Sequence, residues 1–330
     1  MHLRGIDFGH VMNASGARNF FGQGYWFHPW LRPFGLSFKN STFVAKTTPL
    51  DPRKGYMTTK NDDGMTPKKL FPDCIVVDHL KQTVLNAVGL TSPGLKALLK
   101  YGYWQRIRHP FLISFAALSD SVESRLNEYK AFVALIKPQL RYFRAPVGLE
   151  INFVCPNKDH VSMPTAEEVW EALSILSGLD IPLVAKMNIR ISHKACLEIQ
   201  KHRACDALCM SNTIRWDELP QFIDRNAWFG TTISPLEKYG GGGFSGAPLF
   251  SLVSGWIREA RRSGFHKPII GCGGIMCGQD ARNMFDTIFD AALDANVGAI
   301  QIGSVAMLRP HRVRSIIRYA NVHAQTKTSR

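Results

Sequence analysis

Residues 147–157 read VGLEINFVCPN, and the change of character along this stretch decides the fold. Val147–Phe153 is a short apolar run without clean polar alternation, the pattern of a strand buried on both faces of a parallel sheet. Polar and reactive residues begin where the run stops, at Asn152, Cys155 and Asn157, with Pro156 fixing a turn. Seven further runs have the same form: His10–Ala14, Phe43–Thr47, Phe111–Ala116, Pro182–Met187, Ala207–Ser211, Pro268–Cys272 and Ala299–Gly303. Amphipathic stretches lie between them. Thr165-Ala166-Glu167-Glu168 forms a capping box ahead of Val169–Leu176. Asp120–Glu123 opens a helix that runs through Lys137 to Pro138. Pro248 suits the first position of a helix over Leu249–Arg261 that Gly264 terminates, and Gln279–Leu293 and Pro310–Ala324 complete the series. Buried strands alternating with helices predict an α/β protein, a closed (β/α)8 TIM barrel forming a single domain over residues 1–330. Insertions follow the first, second and sixth strands. An open doubly wound sheet is the second topology, but no G-x-G-x-x-G follows the first strand.

The insertions have distinct chemistries. Arg18–Asn40 is aromatic and rich in Gly and Pro, with a weak helical pattern. Asp51–Phe71 is polar and basic and reads as a long loop or hairpin over one face. Ile214–Ala247 is a third long connection. Composition, with 45% hydrophobic and 20% charged residues in 330, excludes collagen, coiled coil and a disordered chain. No apolar run approaches the length of a membrane span, and the N-terminal stretch has no secretory h-region, so a soluble cytoplasmic protein is expected. The seven cysteines contain no C-x-x-C pair and are expected to be reduced, with no metal site. The net charge of +14 includes a late cluster of Arg258, Arg261, Arg262, Arg309, Arg312, Arg314 and Arg318, expected to lie on solvated helix faces.

In a barrel of this kind chemistry sits just past the C-terminal ends of the strands. Those positions hold Asn13–Gly16, Lys46-Thr47-Thr48, Asn152–Asn157, Lys186–Asn188, Ser211-Asn212-Thr213, Gly271–Gly274 and Gly303-Ser304. Lys46 and Lys186 end the apolar runs FVAK and PLVAK, where a buried ammonium is costly unless it meets an anion or lines a cavity. Gly243-Phe244-Ser245-Gly246, Gly273-Gly274 and Gly303-Ser304 suggest a phosphate site near the last strands. Cys155 is a candidate base, because a thiol with a pKa of about 8.5 can work near neutral pH in a partly exposed, positive site.

These motifs together resemble the FMN-dependent dihydroorotate dehydrogenase family. VMNASG at 11–16, AKTTPLDPRKG at 45–55, LNAVGLTSPG at 85–94, EINFVCPN at 150–157, PLVAKMN at 182–188, SNTI at 211–214, GGFSGAPL at 242–249, IIGCGGI at 269–275 and IQIGS at 300–304 look like family motifs in family order. The resemblance implies an FMN-binding barrel that oxidises dihydroorotate to orotate in pyrimidine biosynthesis. It implies that Cys155 removes the proton from C5 while hydride leaves C6 for the flavin, as in the soluble, cysteine-using class. Substrate would be held by Lys46, Asn86, Val88, Gly89, Leu90, Asn152, Asn157, Asn212 and Thr213. FMN would be held by Ala14, Ser15, Gly16, Lys46, Thr47, Asn152 and Lys186, and its phosphate by Ser245, Gly246, Gly273, Gly274, Gly303 and Ser304. The chain departs from the family pattern at Tyr56-Met57-Thr58-Thr59 after Gly55, at Val154 where serine is usual, and at Lys158-Asp159-His160.

Other readings are a pyrimidine reductase, a tRNA-dihydrouridine synthase suited by the basic charge, and a flavin-binding homologue without activity. Asn157 favours orotate over the first, and VMNASG and LNAVGL argue against the second, so no nucleic-acid partner is expected. The expected assembly is a homodimer. The oxidant is open between fumarate, another soluble acceptor, and NAD through an iron–sulfur/flavin subunit.

Overall fold

Eight parallel strands close into a ring in the computed structural model, which describes residues 1–154, 163–289 and 298–328. They are β1 (Val11–Asn13), β2 (Phe43–Val44), β3 (Phe111–Phe115), β4 (Val147–Asn152), β5 (Leu183–Met187), β6 (Ala207–Met210), β7 (Ile269–Cys272) and β8 (Gly298–Ile302). From β2 to β8 each pairs with its neighbour in chain order, and β8 returns to β1. A parallel bridge between Met12 and Thr42 closes the last gap, with Asn13 N donating to Thr42 O at 3.2 Å and Thr42 N to Val11 O at 2.8 Å. The expected (β/α)8 barrel is the observed one.

The main helices wrap the outside: α1 (Leu95–Lys100), α2 (Val122–Ile136), α3 (Ala166–Leu176), α4 (His193–Gln200), α5 (Leu249–Arg262), α6 (Gly278–Phe289) and α7 (Val313–Thr328). Their starts follow local chemistry. Ser121 caps α2 by accepting from Ser124 N, and Thr165 caps α3 by accepting from Glu168 N. Glu168 itself does not complete the box. Its carboxylate takes a buried bidentate pair from Arg125, at 2.6 and 2.8 Å, and so ties α3 to α2. The late arginines are not all solvated either. Arg261 is buried and donates to Phe265 O and Lys267 O, both at 2.8 Å, and burial pushes its guanidinium down to about 10.

The insertions after β2 and β6 meet in a four-stranded antiparallel sheet that the sequence did not disclose. Ile75–Asp78 pairs with Thr83–Asn86, which pairs with Gly243–Gly246, which pairs with Ile214–Arg215. The hairpin therefore lies at 75–86 rather than within 51–71, where short bridges of Arg53 to Ser92 and Thr59 to Pro67 pin a loop. In the first insertion only His28–Leu31 is α-helical. No helix among the described residues is long and apolar enough to cross a membrane.

Candidate active site

Side chains two residues apart on a strand share a face, so each strand contributes inward positions at successive heights. The lower inward layer is apolar: Met12, Val44, Leu112, Val184, Ile270 and Ala299 pack with Met1, Leu3 and Phe8, which plug that end. Two residues further along, the same strands carry Ala14, Lys46, Ser114, Lys186, Cys272 and Gln301. The barrel interior thus turns from oil to polar within one pleat.

A hydrogen-bonded network fills the polar layer. Lys186 Nζ lies 3.2 Å from Glu150 Oε1 and 3.4 Å from Gln301 Oε1, and Gln301 Nε2 donates to Glu150 Oε2 at 2.6 Å. Glu150 is wholly buried. Burial opposes the charge on Lys186, but the Glu150 carboxylate outweighs it and holds the ammonium above the ordinary lysine range. An ionised carboxylate only accepts, which orients the hydroxyls leading to it. Ser114 Oγ donates to Glu150 Oε1 at 3.2 Å, Thr47 then donates to Ser114 at 2.9 Å, and Ser15 to Thr47 at 2.7 Å. The chain runs from the cavity wall at Ser15 down to the buried charge.

Above this floor lies a cavity of about 960 Å³. Its wall includes Ala14, Ser15 and Gly16 after β1; Lys46 and Thr47 after β2; Asn152 on β4; and Lys186 on β5. Asn212 and Thr213 after β6, Gly273 and Gly274 after β7, and Gly303 and Ser304 after β8 complete the strand-end ring. Asn86, Val88, Leu90 and Ser245 reach it from the insertions. Asn212 Nδ2 donates to Asn152 Oδ1 at 2.7 Å and also to Val154 O, which draws two carboxamides together. The Thr213 hydroxyl is buried in this wall with no hydrogen-bond partner among the described residues. Lys46 Nζ donates to Thr91 O at 2.8 Å and stands 4.8 Å from the Phe20 ring centre. Burial pushes it down to about 8.

Two expected residues sit behind the wall rather than in it. Gly246 has φ +121°, and a Cβ there would stand 2.2 Å from Gln82 O, so sheet pairing accounts for this glycine. Gly89 O accepts from Arg53 Nε at 2.8 Å. Asn86 turns its amide to Gly243 O at 3.3 Å. Cys155 and Asn157 lie outside the described residues. Glu150, Ser114 and Gln301 were not anticipated, although each is a polar inward residue on a largely apolar strand. The described cysteines are free thiols, as expected.

A family model described as dihydroorotate dehydrogenase matches residues 55–292. The chain belongs to that family. Among similar proteins is the dihydroorotate dehydrogenase B (NAD(+)) catalytic subunit of Endomicrobium trichonymphae, 24% identical over 83% of this chain and 77% of its own. The corresponding catalytic subunit of Pyrococcus abyssi is 25% identical over 84% and 87%. A putative dihydroorotate dehydrogenase A (fumarate) of Pediococcus pentosaceus is 27% identical over 93% and 88%. Family membership makes the chain an oxidoreductase, and the strand-end cavity is where its barrel gathers polar chemistry.

Proposed function

We propose that this chain oxidises dihydroorotate to orotate with FMN, a step of pyrimidine biosynthesis. The observation that carries the reading is the convergence of a buried ammonium, Lys186, with the paired carboxamides of Asn152 and Asn212 on one cavity at the C-terminal end of a barrel. Bound FMN would supply the two-electron acceptor that no ordinary side chain provides. The walls fit such a group. The cavity has the volume of a cofactor site, and the orphan Thr213 hydroxyl asks for a polar partner. Gly273, Gly274, Gly303 and Ser304 line the same cavity beside the last two strands, where backbone N–H groups would receive the phosphate.

In this reading Ala14, Ser15, Gly16, Thr47, Asn152 and Lys186 hold the flavin ring, and Ser245, Gly273, Gly274, Gly303 and Ser304 hold the phosphate. Gly246 serves by shaping the strand behind Ser245. Lys46, Asn86, Asn152, Asn157, Asn212 and Thr213 hold the substrate's imide and carboxylate, with the backbone of Val88, Gly89 and Leu90. Cys155 Sγ takes the proton from C5. Lys186, fixed from below by Glu150 and Gln301, would hold a positive charge against the flavin when it is bound. The relatives' names support either fumarate or a companion electron-transfer subunit as the route onward, and a homodimer belongs to the same proposal.

The test is Cys155→Ala. It should keep flavin and fold and lose turnover of dihydroorotate by ~10²–10⁴-fold, the usual worth of a general base. Wild-type turnover should rise with pH through the thiol's pKa. An alanine variant within a few-fold of wild type would remove Cys155 from the mechanism.

A further inference from the structure

The cavity opens through a rim that is apolar and cationic at once. Leu80 is 97% exposed, Phe34 and Phe71 72%, and Trp30 64%, with Leu70 and Met307 beside them. Large side chains left in water together mark an interaction surface rather than ordinary scatter. They come from four separate segments that the fold brings to one place. Trp30, Leu70, Phe71 and Met307 all border the cavity. Arg314 N donates to Gly35 O at 3.2 Å, and His79 Nδ1 lies 3.3 Å from Leu308 O, which fastens the segments to one another. Exposed cations punctuate the same segments: Arg32, Lys68, Lys81 and Arg314. The nearby acids are already engaged. Asp73 is paired with Lys69 at 2.8 Å, and Asp78 accepts from Leu80 N and Lys81 N.

From this we infer that the rim of the cavity docks on an anionic lipid bilayer surface. Such a surface takes both signals at once, since apolar side chains enter the acyl boundary while lysine and arginine remain among the headgroups. A second copy of the chain fits poorly, because a two-fold pairing would set cationic rims against each other in a molecule of net charge +14. The docking concerns the outer rim and does not depend on what the cavity binds.

The experiment is co-sedimentation of the purified full chain with phosphatidylcholine vesicles, and with phosphatidylcholine–phosphatidylserine vesicles at low and high salt. Binding is expected on the anionic vesicles, weakened at high salt by charge screening. The double variant Phe34→Ser with Leu80→Ser should weaken it about tenfold or more, and Arg32→Ser with Lys81→Ser should remove the preference for phosphatidylserine. Circular dichroism should match wild type in both, since all four residues are exposed. Absence of binding to anionic vesicles would overturn the inference, as would equal binding by wild type and the Phe34/Leu80 variant. So would a dimer that the Phe34/Leu80 variant dissociates while neither protein binds vesicles, which would give the rim to a second copy.

Discussion

The two ends of the barrel interior use the same strands for opposite purposes. At the lower end Leu112 and Phe8 are fully buried, and Gly148 exists to admit them: a Cβ there would stand 2.6 Å from Leu112 Cδ2 and 3.2 Å from Phe8 Cζ. Two residues higher, Ser114 and Glu150 replace that packing with charge and hydrogen bonds. The difference shows how the barrel separates stability from chemistry without separate elements. A buried carboxylate is tolerable because an ammonium, a carboxamide and a hydroxyl all face it.

Breaking the upper layer should have the larger effect on both stability and binding. Lys186→Met leaves Glu150 buried without its cation, and unfolding in urea should show a loss of about 3–5 kcal/mol. Adding Glu150→Gln should recover most of that loss, while FMN binding stays weak. A single variant as stable as wild type would mean that Gln301 and Ser114 alone satisfy Glu150. The lower layer offers the matching control. Leu112→Ala should cost about 2–5 kcal/mol through the cavity it leaves, with FMN affinity unchanged. If flavin affinity fell as far as in Lys186→Met, the two layers would not be independent.

A smaller effect distinguishes the second lysine. With Lys46 pushed down to about 8, an anionic ligand beside Nζ must restore its proton at higher pH. Orotate binding should be level below pH 8 and weaken above it by up to about tenfold per pH unit, or 1.4 kcal/mol. In the ligand-free protein the sign is opposite. The unfolded lysine holds its proton more tightly than the folded one, so stability should rise with pH between about 8 and 10.5. Lys46→Met should flatten both profiles, and a binding profile already flat in wild type would place the substrate anion away from Nζ.

The barrel was legible because its strands are unbroken apolar runs, and the strand-end residues because polar chemistry starts where those runs stop. Glu150, Ser114 and Gln301 escaped notice for the same reason, since each lies inside a run rather than at its end. A period-two reading of VGLEIN, FLISF and GAIQI exposes them. The hairpin at 75–86 carried no turn signal: its turn is His79-Leu80-Lys81-Gln82, without Gly, Pro or Asn, and the Asp78 carboxylate holds it. Glu168 matched a capping box, but burial against Arg125 gave it a stronger partner than its own helix end.

The most direct measurement is to incubate the purified protein with FMN and mix it anaerobically with dihydroorotate, following the visible absorbance of the flavin and the appearance of orotate. Bleaching of the bound flavin with one orotate formed per flavin is the expected result. Protein that holds FMN firmly yet keeps its colour in excess dihydroorotate would show that the cavity above Lys186 serves another substrate.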